Sequence, residues 1–208
     1  MTIYRNITAN KKRSEDEQAK ELLECYLYSN ECKNDRYSSM DLISNMVRAE
    51  PDERRTAHNL KSHPMFWDAD RKMKFVKAVR FVLDEEKKQN SKTIEDALES
   101  VASNVFIDWI NEVEKIPNIG IDLANHIRTN NHLNMNKHYG DNSTKLTYLL
   151  KMIRNYKEHK NNKIKLGDGI TIFTEQFPKL IIEVYKVMAK FKTNEELKEE
   201  LEEFYLKD

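Results

Sequence analysis

Glycine is the residue that most limits this chain. Only four glycines occur in 208 residues, at Gly120, Gly140, Gly167 and Gly169, so the first 119 positions have none. Phosphate-cradling turns need backbone without a Cβ beside the phosphate, which excludes a P-loop, a dinucleotide turn or a kinase glycine loop from that region. Hairpin-rich β folds also draw heavily on turn glycine. Lys and Glu dominate a charged fraction of 34%, beside a hydrophobic fraction of 39%. That balance suffices for a core and favours helices, so the expected fold is all-α.

The net charge is zero, with 35 basic and 35 acidic residues. The average hides a segregation. Residues 126–165 hold nine Lys/Arg against Asp141 and Glu158, a local +7. Residues 193–208 hold seven acids against Lys198 and Lys207, a local −5. A neutral chain with one basic island suits a local anionic ligand, although a solvated lysine face has the same composition. The two cysteines, Cys25 and Cys32, lack metal or disulfide-framework spacing. A reducing, cytoplasmic setting is expected. No apolar run reaches membrane-span length, and the N-terminus has no hydrophobic signal segment.

Periodicity predicts roughly eight helices. One starts at Ser14. A second is capped by Ser38 or Ser39, buries Leu42, Ile43, Met46 and Val47, and stops at Pro51. A helical turn over Thr56–Lys61 follows. The longest pattern spans residues 66–88, with Met73, Val76, Val79/Arg80 and Leu83 at helical spacing, widened by Phe75 and Val82. Further helices are expected over Ile94–Val101, Phe106–Ile116, Ile119–Ile127 and residues 145–160. Phe173–Lys190 is expected in two pieces because Pro178 lacks an N–H. Glu195–Tyr205 reads as an acidic amphipathic end helix. Residues 129–144 and 161–169 read as loops.

Chemistry concentrates in KMIRNYKEHK, residues 151–160. Asn155 and His159 are four apart and share a helix face, with Arg154 one step around. A fixed cation, an amide and a titratable imidazole inside a basic island suit phosphodiester chemistry. An exposed helix end with ordinary surface charge would read the same way. His126, His132 and His138 recur every six residues, a poor metal-ligand spacing, and no metal or cofactor is expected. His63 reads as a core or capping group. Trp67 and Trp109 read as core, with a substrate-side place the sharper alternative for Trp109.

Several stretches together resemble one family. DLISNMVRAEPDERRTAHNLKSHPMFW, residues 41–67, looks like the last helices of a kinase C-lobe running into the HP-x-FW junction of the kinase-extension nuclease (KEN) family. Asp108-Trp109 falls where that family carries an aromatic. LLKMIRNYKEH (149–159) matches its LL-x-x-x-RN-x-x-x-H segment, and FTEQFPKLIIEVYKVM (173–188) matches its F-x-x-x-FP-x-L-x-x-x-Y helix. The resemblance covers about residues 38–190. It divides the chain into residues 1–62, partly resembling the end of a kinase C-lobe, and a nuclease domain over 63–208.

The resemblance implies a metal-independent endoribonuclease acting on single-stranded or loop RNA. The RNA's own 2′-hydroxyl attacks, leaving a 2′,3′-cyclic phosphate and a 5′-hydroxyl. By position, Arg154 and Asn155 hold the scissile phosphate or order the site. His159 protonates the leaving oxygen, and Tyr139 is the candidate that helps activate the 2′-hydroxyl. Lys151, Lys157, Lys160, Lys163, Trp109 and His138 are the candidate RNA contacts. A homodimer is expected, since relatives act as dimers, with the outer face of the 67–88 helix contributing. Two departures stand out. Family members carry an acid six residues before the motif arginine, where this chain has Tyr148, so an orienting partner for Arg154 is expected to be missing. The chain also lacks HRD and DFG motifs, so no kinase activity or nucleotide is expected. Arg54 would lack its usual glutamate. A weak or inactive partner that pairs with a full-length relative is the competing expectation.

Overall fold

The computed structural model describes residues 36–47, 60–84, 91–129, 142–158, 169–195 and 197–205. Every regular element among them is helical. They are α1 (Arg36–Met46), a 3₁₀ turn (Pro64–Phe66), α2 (Ala69–Asp84), α3 (Ser91–Glu99), α4 (Ala102–Val105), α5 (Trp109–Glu114), α6 (Gly120–Thr129), α7 (Leu146–Glu158), α8 (Gly169–Gln176), α9 (Leu180–Ala189) and α10 (Lys198–Leu201). The all-α expectation holds. The helix expected from Ser14, Arg54 and the start of the Thr56–Lys61 turn lie outside the described residues.

Helix α2 is the central beam and packs against α3, α7, α8 and α10. Met73, Phe75, Val76, Val79 and Val82 are buried along it, and so is Arg80. It starts at Ala69, later than residue 66, because His63 caps the 3₁₀ turn ahead of it. The Met65 amide donates to His63 Nδ1 at 3.2 Å, and the Arg71 amide donates to Asp68 Oδ1 at 2.8 Å to open α2 itself. Helix α9 follows α8 across the Pro178 break and buries Leu180, Ile181, Ile182, Val184, Tyr185, Val187 and Met188. The predicted split at the proline is observed. Each such side chain contributes about 1.5–3 kcal/mol by leaving water.

Three expectations need correction. Helix α1 begins at Arg36, ahead of Ser38 and Ser39, and its buried face is Ser39, Leu42 and Asn45. Met46 and Val47 are 49% and 40% exposed. Polar contacts set this rotation: Asp41 Oδ2 meets His63 Nε2 at 3.1 Å, and Asp41 Oδ1 meets Lys186 Nζ at 2.6 Å. Next, the helix expected over Phe106–Ile116 is the shorter α5, which starts only at Trp109. Phe106 is extended (φ −155°, ψ 170°), and Asp108 caps α5 by accepting from the Asn111 amide at 3.0 Å. Lastly, the acidic end helix shrinks to α10. Leu197, Leu201 and Phe204 are still fully buried, but turns carry them inward.

Those turns deliver Phe204 and Tyr205 to an aromatic cluster. Trp67 lies 5.1 Å from Phe75 and 5.5 Å from both Tyr185 and Phe204. The Tyr205 hydroxyl donates to the Tyr185 carbonyl at 2.7 Å. Trp67 donates its indole N–H to the Ser62 carbonyl at 2.9 Å. Both polar aromatic tips are therefore satisfied inside the core.

Candidate active site

The site is built on α7. Leu146, Leu149, Leu150 and Ile153 are buried, which fixes the helix's rotation and leaves Lys151 and Arg154 part-exposed. Its N-terminus is held from α3. Glu99 accepts from the Leu146 amide at 2.9 Å, the Thr147 amide at 3.1 Å and the Thr147 hydroxyl at 2.6 Å. A carboxylate at the first turn satisfies orphan donors and lies at the positive end of the helix dipole.

Arg154 and Asn155 sit in the last turns of α7. Asn155 is buried, and its Oδ1 accepts from Arg154 Nε at 3.1 Å. Arg154 Nη1 donates to Asp84 Oδ2, at the end of α2. The other Asp84 oxygen takes Arg80 Nη2. Arg80 is buried and also donates Nη1 to the Thr147 carbonyl at 3.2 Å. Arg154 thus has the carboxylate partner that Tyr148 was expected to leave missing. Tyr148 lies six residues earlier, about one and two-thirds turns away on a different face. There Lys145 and Lys151 flank its ring, their ammonium nitrogens 5.8 and 6.0 Å from the centroid.

Arg80, Lys151 and Arg154 gather around the single Asp84 carboxylate. Burial pushes the Lys151 ammonium below its ordinary pKa; the Arg80 charge adds to this, Asp84 opposes it, and Arg154 adds again. A cation kept against its own desolvation, in a cluster with surplus positive charge, suits a phosphate oxygen. Arg154 and Asp84 open into a groove of about 620 Å³ that also meets Lys77, Phe81, Glu199 and Glu203.

The other candidates are placed as follows. Trp109 is fully buried. Its amide donates to the Ser143 carbonyl at 2.9 Å and its indole N–H to the Asn142 carbonyl at 3.0 Å. Asp108 Oδ2 accepts from the Ser143 hydroxyl at 3.0 Å. This pair fixes the backbone that enters α7, and the enclosed Trp109 ring has no open face for a base. His159, Tyr139, His138, Lys160, Lys163 and the Lys157 side chain lie outside the described residues. The groups that sequence reasoning missed are Asp84, Arg80 and Glu99. One signal was legible: a charged Arg80 on an apolar stripe demands a carboxylate, and Asp84 stands four residues on.

The described residues thus form an all-helical domain with an arginine–asparagine pair braced inside a cationic cluster. Comparison with known proteins makes this specific. The Ribonuclease 2-5A family model matches residues 72–201, and the chain belongs to that family. It is similar to the serine/threonine-protein kinase/endoribonuclease IRE1b of Arabidopsis thaliana, with 26% identity over 168 residues, 76% of this chain and 18% of that protein. The rice IRE1 (Oryza sativa subsp. japonica) is 29% identical over 168 residues, 76% of this chain and 17% of that protein. The Schizosaccharomyces pombe sensor for unfolded proteins in the ER, ire1, is 25% identical over 157 residues, 71% of this chain and 13% of that protein. The chain spans less than a fifth of the length of these relatives.

Proposed function

We propose that this chain is an endoribonuclease that cleaves single-stranded or loop RNA without a metal cofactor and acts as a homodimer in the cytoplasm. The observation that carries the reading is the braced Arg154–Asn155 pair, inside the stretch that matches the ribonuclease family. A planar guanidinium fixed by a carboxylate and an amide is preorganised for two phosphate oxygens. Pre-set charge of this kind stabilises the pentacoordinate phosphorane as negative charge builds on it. His159, four residues after Asn155 in the sequence, supplies the proton for the departing 5′ oxygen, and Tyr139 assists the attacking 2′-hydroxyl. DNA lacks that nucleophile and is not cut. Lys151, Lys157, Lys160 and Lys163 contribute backbone affinity. No kinase reaction belongs to this reading.

The test is cleavage of a labelled stem-loop RNA in EDTA across a range of protein concentrations, wild type beside His159→Ala. The expected result is cyclic-phosphate ends, activity rising faster than linearly with concentration, and no cleavage by the variant. A folded wild type that never cleaves would favour a regulatory partner instead. A fully active His159→Ala would remove that residue from the mechanism.

A further inference from the structure

We propose that Asp84 is the positioning residue of the site: it holds the Arg154 guanidinium in its reactive orientation and competes with RNA for that same cation. The proposal rests on the nuclease reading of Arg154 given above. Asp84 ends α2, whereas Arg154 belongs to α7, so the pair spans two helices. Both carboxylate oxygens are committed, Oδ1 to Arg80 and Oδ2 to Arg154. Arg80 cannot readily turn away. It is buried, and its Nη1 is tied at 3.2 Å to the Thr147 carbonyl in the first turn of α7. The carboxylate is therefore fixed from behind by a guanidinium that is itself fixed to the helix carrying Arg154. On its open side it sets Arg154 Nη1, while Asn155 Oδ1 sets Nε at 3.1 Å. These two restraints define the plane of the guanidinium and leave its second Nη1 N–H and both Nη2 N–H groups for phosphate oxygens.

The same carboxylate holds the local charge in check. Arg80, Lys151 and Arg154 converge on it, and their mutual repulsion would otherwise drive the longest, most exposed chain outward. Orientation and affinity thus pull in opposite directions. Removing the charge at position 84 gives RNA a less opposed cation to bind, but one no longer held in the geometry that stabilises the reacting phosphate. A residue needed only for folding would not separate the two.

The experiment compares wild type, Asp84→Asn, Asp84→Glu and Arg154→Lys. Turnover is measured on a stem-loop RNA. Binding is measured as a function of salt on the same stem-loop with 2′-deoxy loop sugars, which cannot be cut. Asp84→Asn should turn over at least tenfold more slowly, bind the uncleavable RNA no less tightly, and show a salt dependence steeper by about one counterion. Asp84→Glu, which keeps the charge on a longer arm, should bind like wild type with intermediate turnover. Wild-type turnover in Asp84→Asn, or weaker binding with a shallower salt slope, would overturn the proposal. Should Asp84→Asn not fold, Asp84→Glu decides: reduced turnover with unchanged binding supports the role, and unchanged turnover overturns it. Arg154→Lys separates the two readings. If it cleaves like wild type, the nuclease assignment of this site is wrong. If it is impaired while the Asp84 variants are not, only the positioning role fails.

Discussion

Lys151 illustrates what single side chains reveal here. Burial lowers its pKa and the Arg80 charge lowers it further, so a charged lysine at this position costs stability. Lys151→Met should leave thermal stability equal or higher while weakening RNA binding and reducing its salt slope by about one. Thermal melts beside salt-dependent binding would check both arms; a variant less stable but unchanged in binding would contradict the role. Asp41 works in the opposite sense. Burial alone would raise its pKa, but hydrogen bonds from His63 and Lys186, with their charges, outweigh that and hold it below the ordinary value. A carboxyl depressed in the folded state contributes stability above its unfolded pKa of about 3.9, and the contribution is lost as pH falls through the folded value. The melting temperature of wild type should therefore drop more steeply below pH 4 than that of Asp41→Asn. At this scale the sequence was readable where spacing fixes neighbours: Arg154 beside Asn155, and His63 as a cap. It was silent on Asp84 meeting Arg154, because they lie 70 positions apart and only packing of α2 on α7 joins them.

Helix boundaries follow local chemistry where that chemistry is strong. Pro178 divided α8 from α9 as expected, since a missing N–H acts whatever the surroundings. A break between the helices expected over Ile94–Val101 and Phe106–Ile116 was legible, but its extent was not: Phe106 is extended and the Asp108 cap delays α5 to Trp109. The acidic end failed for a related reason. Its apolar spacing is helical, but six acids between Glu195 and Glu203 resist winding together, while the aromatic cluster draws Phe204 and Tyr205 out of line. Glu99 shows how one element supports another. It closes the N-terminus of α7 with three accepted hydrogen bonds. Glu99→Gln leaves one amide oxygen for those donors and removes the charge at the helix dipole, so it should destabilise the domain by about 1–2 kcal/mol. Denaturant titration would measure this; a loss below about 0.5 kcal/mol would mean that solvent replaces the cap at little cost.

The whole molecule is held together by residues far apart in sequence. Trp67, Phe75, Tyr185 and Phe204 share one cluster, so α2, α9 and the segment after α10 close on each other. Phe204→Ala should cost about 3–5 kcal/mol, a large share of the 5–15 kcal/mol typical of a domain. It should unfold α7 and its site with the rest, because α2 packs on both. Loss of helix signal and loss of RNA cleavage in step with temperature would show this coupling, whereas a site that outlasts the cluster would refute it.

That closure also has a consequence in time. Trp67 must wait for Phe204 to be synthesised, and at about 5–20 residues per second the interval is on the order of ten seconds. During it the nascent chain has made Arg154 and Asn155 but not the aromatic cluster that closes α2 against the end of the chain. A chain cut short before Phe204 would thus leave Trp67 and Phe75 without the ring that packs on them both.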